Sequence, residues 1–162
     1  MKSVISMLVD NHSGVLLRVA GLITRRGFNI DSLTVCETQD KSFSRMTIAV
    51  EGDFQVIRQM TRQLAKLEDV VKIEILNDEN SVSSEILLIK INVSGGLPLI
   101  MDAARTRGAK VLDVSDAAVI LELTGKSDEI DDFIGMMKEF GIIELARTGK
   151  TSLAISVEED DE

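Results

Sequence analysis

Apolar residues recur at every second position, then at helical spacing, then at every second position in two further stretches, and the same order returns in the second half of the chain. Residues 2–9 alternate as a strand, and residues 13–26 place Val15, Leu16, Val19, Leu22 and Ile23 on one helical stripe. Gly27 stands where a left-handed residue closes a helix. A strand from Ile30 to Thr38 and the polar turn Gln39-Asp40-Lys41-Ser42 follow. The next strand, 43–51, sets Met46, Ile48 and Val50 on one face and Arg45, Thr47 and Ala49 on the other, so its sheet has one helix-covered face and a more polar one. Asp53 suits the N-cap of a helix over 54–67, with Ile57, Met60, Leu64 and Leu67 inward. A strand over 70–76 turns Val71, Ile73 and Ile75 inward.

Asn77-Asp78-Glu79-Asn80-Ser81 has no apolar period and reads as a linker. Beyond it the pattern predicts a strand over 85–93 and a helix opened by Gly95-Gly96 and Pro98, with Ile100, Ala103 and Ala104 inward. A hairpin of Ala109–Val114 and Ala117–Leu123 comes next, then a helix capped by Ser127 with Ile130, Phe133, Ile134 and Met137 inward. Gly141 ends that helix before a short strand, Ile142–Ala146. The expected fold is therefore α+β: two tandem βαββαβ ferredoxin-like domains, antiparallel sheets with helices on one face. The boundaries are 1–76, a linker at 77–83, a second domain at 84–150, and an acidic tail at 151–162, expected to be disordered because it ends in five consecutive carboxylates.

Composition removes several function classes. A net charge of −9 opposes binding to nucleic acid or an anionic membrane, both of which need basic patches. With no Trp, no Tyr and five Phe, there is little to stack on bases. The single cysteine, Cys36, permits neither an internal disulfide nor a Cys-based metal site. No apolar run reaches the ~20 residues of a membrane span. Met1–Ser6 already alternates like a strand, so no leader is expected and a cytoplasmic location follows.

No catalytic set emerges either. His12 is the only histidine, and its neighbours Asp10 and Ser13 lie on a strand-to-loop turn where adjacent side chains point apart. Asp113, Asp116 and Glu122 lack the spacing of a calcium loop, so no metal is expected. Gly95-Gly96 lacks the lysine and hydroxyl of a phosphate loop. Arg25-Arg26 and Arg105 with Arg107 end helices, where cations suit the dipole.

One segment stands apart. Asn11-His12-Ser13-Gly14-Val15-Leu16 turns from a polar loop straight into a helix, whose N-terminus leaves N–H groups unpaired and favours an anion. Gly14 allows close approach to the backbone. Asn11 and Asn29 each offer a donor and an acceptor, which suits the zwitterionic head of a free amino acid.

The first 76 residues resemble an ACT domain, the small-molecule-binding βαββαβ module of amino-acid metabolism. The resemblance extends along nearly the whole chain to the regulatory (small) subunit of acetohydroxyacid synthase, also called acetolactate synthase. It is carried by Asn11-x-Ser-Gly-Val-Leu-x-Arg18-Val, Gly21-Leu22, Arg26-Gly27-Phe28-Asn29-Ile30, Ser32-Leu33-Thr34-Val35 and Ser44-Arg45-Met46-Thr47. Gln63-Leu64-x-Lys66-Leu67, Leu88-x-Lys90, Asp113-Val114, Leu123-Thr124-Gly125 and Ala146-Arg147-Thr148-Gly149 agree with it.

The resemblance implies a non-catalytic subunit that activates the catalytic subunit of that enzyme and confers feedback inhibition by valine in branched-chain amino-acid synthesis. It implies a homodimer through the ACT domain, and no cofactor on this chain; thiamine diphosphate, FAD and Mg belong to the catalytic partner. The expected valine site comprises Asn11, His12, Ser13, Gly14, Val15, Asn29 and Ile30. Backbone N–H groups at Ser13, Gly14 and Val15 would bind the carboxylate, and the two asparagines would orient the head group. The alternative is a free-standing ACT-type sensor acting on another enzyme or a transcription factor.

Overall fold

The structure, a computed structural model, describes residues 2–155. Its strands and helices are β1 Lys2–Asp10, α1 Val15–Arg25, β2 Ile30–Glu37, β3 Phe43–Glu51, α2 Phe54–Leu64, β4 Val70–Leu76, β5 Ser81–Asn92, α3 Leu97–Thr106, β6 Lys110–Val114, β7 Ala118–Gly125, α4 Ser127–Met137, β8 Ile142–Arg147 and β9 Thr151–Ala154. Two compact units form: residues 2–83 with 150–155, and residues 84–149. Each holds an antiparallel sheet of the same order, β2-β3-β1-β4 and β6-β7-β5-β8, so the expected α+β repeat is what the chain builds.

In the first unit the alternation does the sorting. Ile5 pairs with Ile48 and Met7 with Met46, and these side chains are sealed beneath Val19, Ile23, Ile57 and Leu64 of the two helices. The second core repeats the plan, with Leu87, Ile89 and Leu121 under Ile100 and Phe133. Each such side chain removed from water contributes roughly 1.5–3 kcal/mol, which is why the two apolar stripes decide the fold. Asp53 caps α2 as expected, accepting from Gln55 N at 2.9 Å and Val56 N at 3.4 Å.

Several expectations change. Val71 faces outward, 56% exposed, because it is the extra residue of a bulge in β4: Lys72 pairs with Leu8 and Val70 with the next residue, Val9, so that Val70 packs on the core. The linker is shorter than 77–83. Asn77 Oδ1 accepts from Glu79 N and Asn80 N while Asn80 Oδ1 accepts from Asn77 N, and this tight turn lets β5 begin at Ser81. Ser127 is the first helical residue of α4 rather than its cap; its hydroxyl bonds Glu85 instead, and Lys126 N donates to Glu129 Oε2 at 2.8 Å.

Thr151–Ala154, expected within a disordered tail, is strand β9 in the first unit. It pairs with β5, where Ser83 and Ser152 share a 2.6 Å hydroxyl bond, and Ile155 N donates to Asn80 O at 2.9 Å. Thr34 Oγ1 donates to Lys150 O at 3.3 Å, so this segment lies on the polar face of the first sheet, where Ser6 and Thr47 are buried. The acidic run Glu158–Glu162 lies outside the described residues. Among the described residues no helix is long and apolar enough to cross a membrane.

Candidate functional site

The turn between β1 and α1 is built from both sides. Asn11 N donates to Ser42 O at 2.8 Å and its Nδ2 to Lys41 O at 2.9 Å and Glu37 Oε1 at 3.3 Å, while Ser44 Oγ donates to its Oδ1 at 3.0 Å. Both amide protons are thus spent inside the chain. Asn11 fixes the turn beside the end of β2 and keeps one Oδ1 lone pair for an incoming cation, so the donor half of its expected role falls away.

Gly14 is left-handed, φ 92°, and precedes α1 with no side chain capping the helix. Among the described residues no side chain caps the first-turn N–H groups, the arrangement expected for carboxylate binding. A Cβ on Gly14 would meet nothing closer than Arg18 Nη1 at 3.9 Å, so a path to the backbone is open. Val15 contributes only backbone here, since its side chain is buried in the core. Directly behind it, Leu16 and Leu17 are exposed large apolar side chains on α1.

His12 does not stand alone. Its Nε2 lies 2.9 Å from Asp69 Oδ1, and its Nδ1 lies 3.1 Å from Ser13 O. Both partners are acceptors, so the ring makes both hydrogen bonds only as the imidazolium. Arg18 grips the same carboxylate, Nε on Oδ2 at 2.7 Å and Nη2 on Oδ1 at 2.9 Å. Those guanidinium hydrogen bonds hold the Asp69 carboxyl below the usual carboxylate range; burial works the other way, and His12 adds to the lowering. Asp10, His12 and Asp69 bring three ligand-type atoms within 4.8 Å of one another, but Arg18 already occupies both Asp69 oxygens, so this is an ion-pair hub. Asp113, Asp116 and Glu122 are not gathered; Glu122 pairs with Lys110 at 3.1 Å. The sequence reading missed Asp69, which looks there like an ordinary turn residue.

Asn29 is set by its neighbours. Gly27, φ 79°, ends α1, and Phe28 packs on the core over Gly52, where a Cβ would collide with the ring. Asn29 is left exposed, with no side-chain partner among the described residues, and half-buried Ile30 opens β2. It is far from the other turn. Ile30 stands level with Val50 and Ser3, and Glu37 level with Ser44 and Val9. That span of strand is about 20 Å long, so Asn29 and the Asn11–Gly14 turn occupy opposite ends of one sheet.

The comparisons give this arrangement a family. The model of the "AHAS small subunit-like ACT domain" matches residues 5–72, and that of the "Small subunit of acetolactate synthase" matches residues 84–156. The acetolactate synthase small subunit of Mycobacterium bovis is 42% identical over 93% of this chain and 90% of that protein. The isozyme 3 small subunit of Salmonella typhimurium is 38% identical over 95% and 96%. The crystal structure of the acetolactate synthase small subunit from Thermotoga maritima superposes with a TM-score of 0.89 at 36% identity, covering 97% of this chain and 99% of that one. With both family models matching and relatives covering more than nine-tenths of its length, the chain belongs to the acetolactate synthase small-subunit family, the regulatory, non-catalytic subunits of that enzyme of branched-chain amino-acid synthesis.

Proposed function

We propose that this chain activates the catalytic subunit of acetolactate synthase in the cytoplasm and confers feedback inhibition by valine, which binds between two copies of the first domain. The observation that carries the reading is the separation of the two expected ligand elements. One valine cannot touch both Asn29 and the Gly14 turn of a single sheet that sets them about 20 Å apart along the strands. β2 is the edge strand of the first sheet in the order β2-β3-β1-β4. A two-fold, antiparallel pairing of two β2 edges sets the Ile30 end of one copy against the Glu37 end of the other. Asn11 ties the Gly14 turn to Glu37, so that pairing brings the turn of one copy to Asn29 of its partner.

In that site the α1 N–H groups take the carboxylate, Asn29 and the spare Asn11 lone pair take the α-ammonium, and apolar surface meets the branched side chain. An aliphatic pocket separates side chains that differ by one methylene by only ~1–3 kcal/mol, so leucine and isoleucine bind as well, more weakly. Thiamine diphosphate, FAD and Mg reside on the catalytic partner, and this chain binds none of them.

The test is calorimetric titration with valine, leucine and isoleucine, alongside reconstitution with the catalytic subunit. Saturable valine binding and valine-sensitive activation support the reading. Activation without any amino-acid binding removes the feedback part, and a chain that neither binds nor activates removes both.

A further inference from the structure

Asp69 lies outside every element expected to touch the ligand, yet groups from both sides of Gly14 converge on it. It sits between α2 and β4 with its side chain 12% exposed. Its backbone carbonyl accepts from Asp10 N at 2.9 Å, at the end of β1. Its carboxylate receives His12 from the turn at 2.9 Å and the fork of Arg18, the fourth residue of α1, at 2.7 and 2.9 Å. Both flanks of Gly14 are thereby fastened to one buried group. With Nε and Nη2 held by Asp69, Arg18 has its third nitrogen, Nη1, 3.9 Å from where a Gly14 Cβ would stand. Nη1 has no partner among the described residues, so a guanidinium donor faces the open side of the turn.

We propose that Asp69 is a positioning residue of the effector site: by holding His12 and Arg18 together it keeps the α1 N–H groups presented and aims Arg18 Nη1 at the ligand's carboxylate. This rests on the valine reading given above. Asp69 itself touches no ligand. A bidentate guanidinium–carboxylate pair fixes direction as well as distance, which a lone surface charge does not. Restoring the Arg18 geometry from another residue would need a second acceptor in the same place, and Asp10, the remaining carboxylate of the cluster, is at the end of β1 rather than between α2 and β4.

The experiment compares wild type, Asp69→Asn, Asp69→Glu, Arg18→Gln and the Asp69→Asn/Arg18→Gln double variant in the full-length protein. Two quantities are read: the Kd for valine by calorimetry, and hydrogen exchange at the Arg18 amide, which closes the first turn of α1 on Gly14 O at 3.0 Å. Asp69→Asn is expected to weaken valine at least tenfold and to speed Arg18 exchange at least fivefold with β3 amides unchanged, since the neutral amide cannot grip the guanidinium through two charged oxygens. Asp69→Glu recovers part of both losses, and the double variant binds valine no worse than the poorer single one, because both changes remove one unit. Wild-type affinity and wild-type exchange in Asp69→Asn overturn the proposal, as does a loss that follows a uniform speeding of exchange throughout the unit. A wild-type protein that binds no branched-chain amino acid defeats the valine reading, while the Arg18 exchange still decides whether Asp69 orders the turn.

Discussion

Replacing Gly14 by Asp and, separately, by Ala distinguishes ligand chemistry from backbone strain at the turn before α1. Both substitutions place a side chain at φ 92°, where an L-residue is destabilised by roughly 1–2 kcal/mol. Neither is blocked, because the nearest atom to the new Cβ is Arg18 Nη1 at 3.9 Å. For a unit of about 60–100 residues each kcal/mol lowers the melting temperature by roughly 4–8 °C, so both variants melt measurably earlier. They differ at the ligand. The Asp carboxylate takes the place of the valine carboxylate beside the α1 N–H groups and repels it, whereas the Ala methyl leaves those donors open. Loss of a hydrogen bond to a charged group is worth about 1.5–3 kcal/mol, or roughly ten- to hundredfold in Kd. Thermal melting, valine calorimetry and valine inhibition of the reconstituted enzyme are the assays. Gly14→Ala is expected to keep valine affinity within a few-fold, and Gly14→Asp to lose at least tenfold at no greater loss of stability. Equal weakening in both, in step with their melting temperatures, refutes the argument that the open donors bind the ligand.

Three further outcomes follow from the geometry. Glu85, 4% exposed, is held by Arg147 Nε at 2.6 Å, and Arg147 stays charged against burial because Glu85 and Asp131 hydrogen-bond it; Glu85→Ala should destabilise the second unit by about 3 kcal/mol in denaturant melts, the low end for a broken buried pair since Asp131 remains, whereas Asp131→Ala should change it by less than about 1 kcal/mol. Because the folded Asp69 carboxyl is held below its unfolded value of about 3.9, its contribution is complete above that pH and is lost as pH falls through the lower folded value; acid titration of stability below about pH 4 should be shallower in Asp69→Asn than in wild type. Deleting the chain after Val157 should leave valine affinity and dimerisation unchanged in calorimetry and sedimentation, as Glu158–Glu162 carry no apolar side chain to bury.

Local patterns carried the fold because the information they hold is local. Alternation in 43–51 and the helical stripe from Val15 to Ile23 each sort residues by face without reference to anything distant, and both sheets follow. What escaped reading depends on partners far along the chain. Thr151–Ala154 is a strand because Ser152 meets Ser83, a separation of 69 residues. Val71 turns outward because it is left unpaired in a bulge that forms only when β4 pairs with β1, some sixty positions earlier. Around the proposed site, the left-handed turns at Gly14 and Gly27 were legible from local glycine chemistry. Asp69 was not, since its meaning comes from Arg18, 51 residues away, and from a turn that only folding brings beside it.

The central claim is that the effector site is shared between two copies, and mixed dimers test it most directly. Gly14→Asp spoils the turn and Asn29→Ala the opposite end of the sheet, so each homodimer should bind valine poorly at both of its sites. When the two variants are unfolded and refolded together, each heterodimer has one doubly damaged site and one intact site. With random pairing, about a quarter of all sites should regain wild-type affinity in calorimetry. Recovery of that fraction is the predicted result. Heterodimers that form, as shown by mass spectrometry, yet bind no valine at wild-type affinity would contradict the account and place the two elements in separate roles.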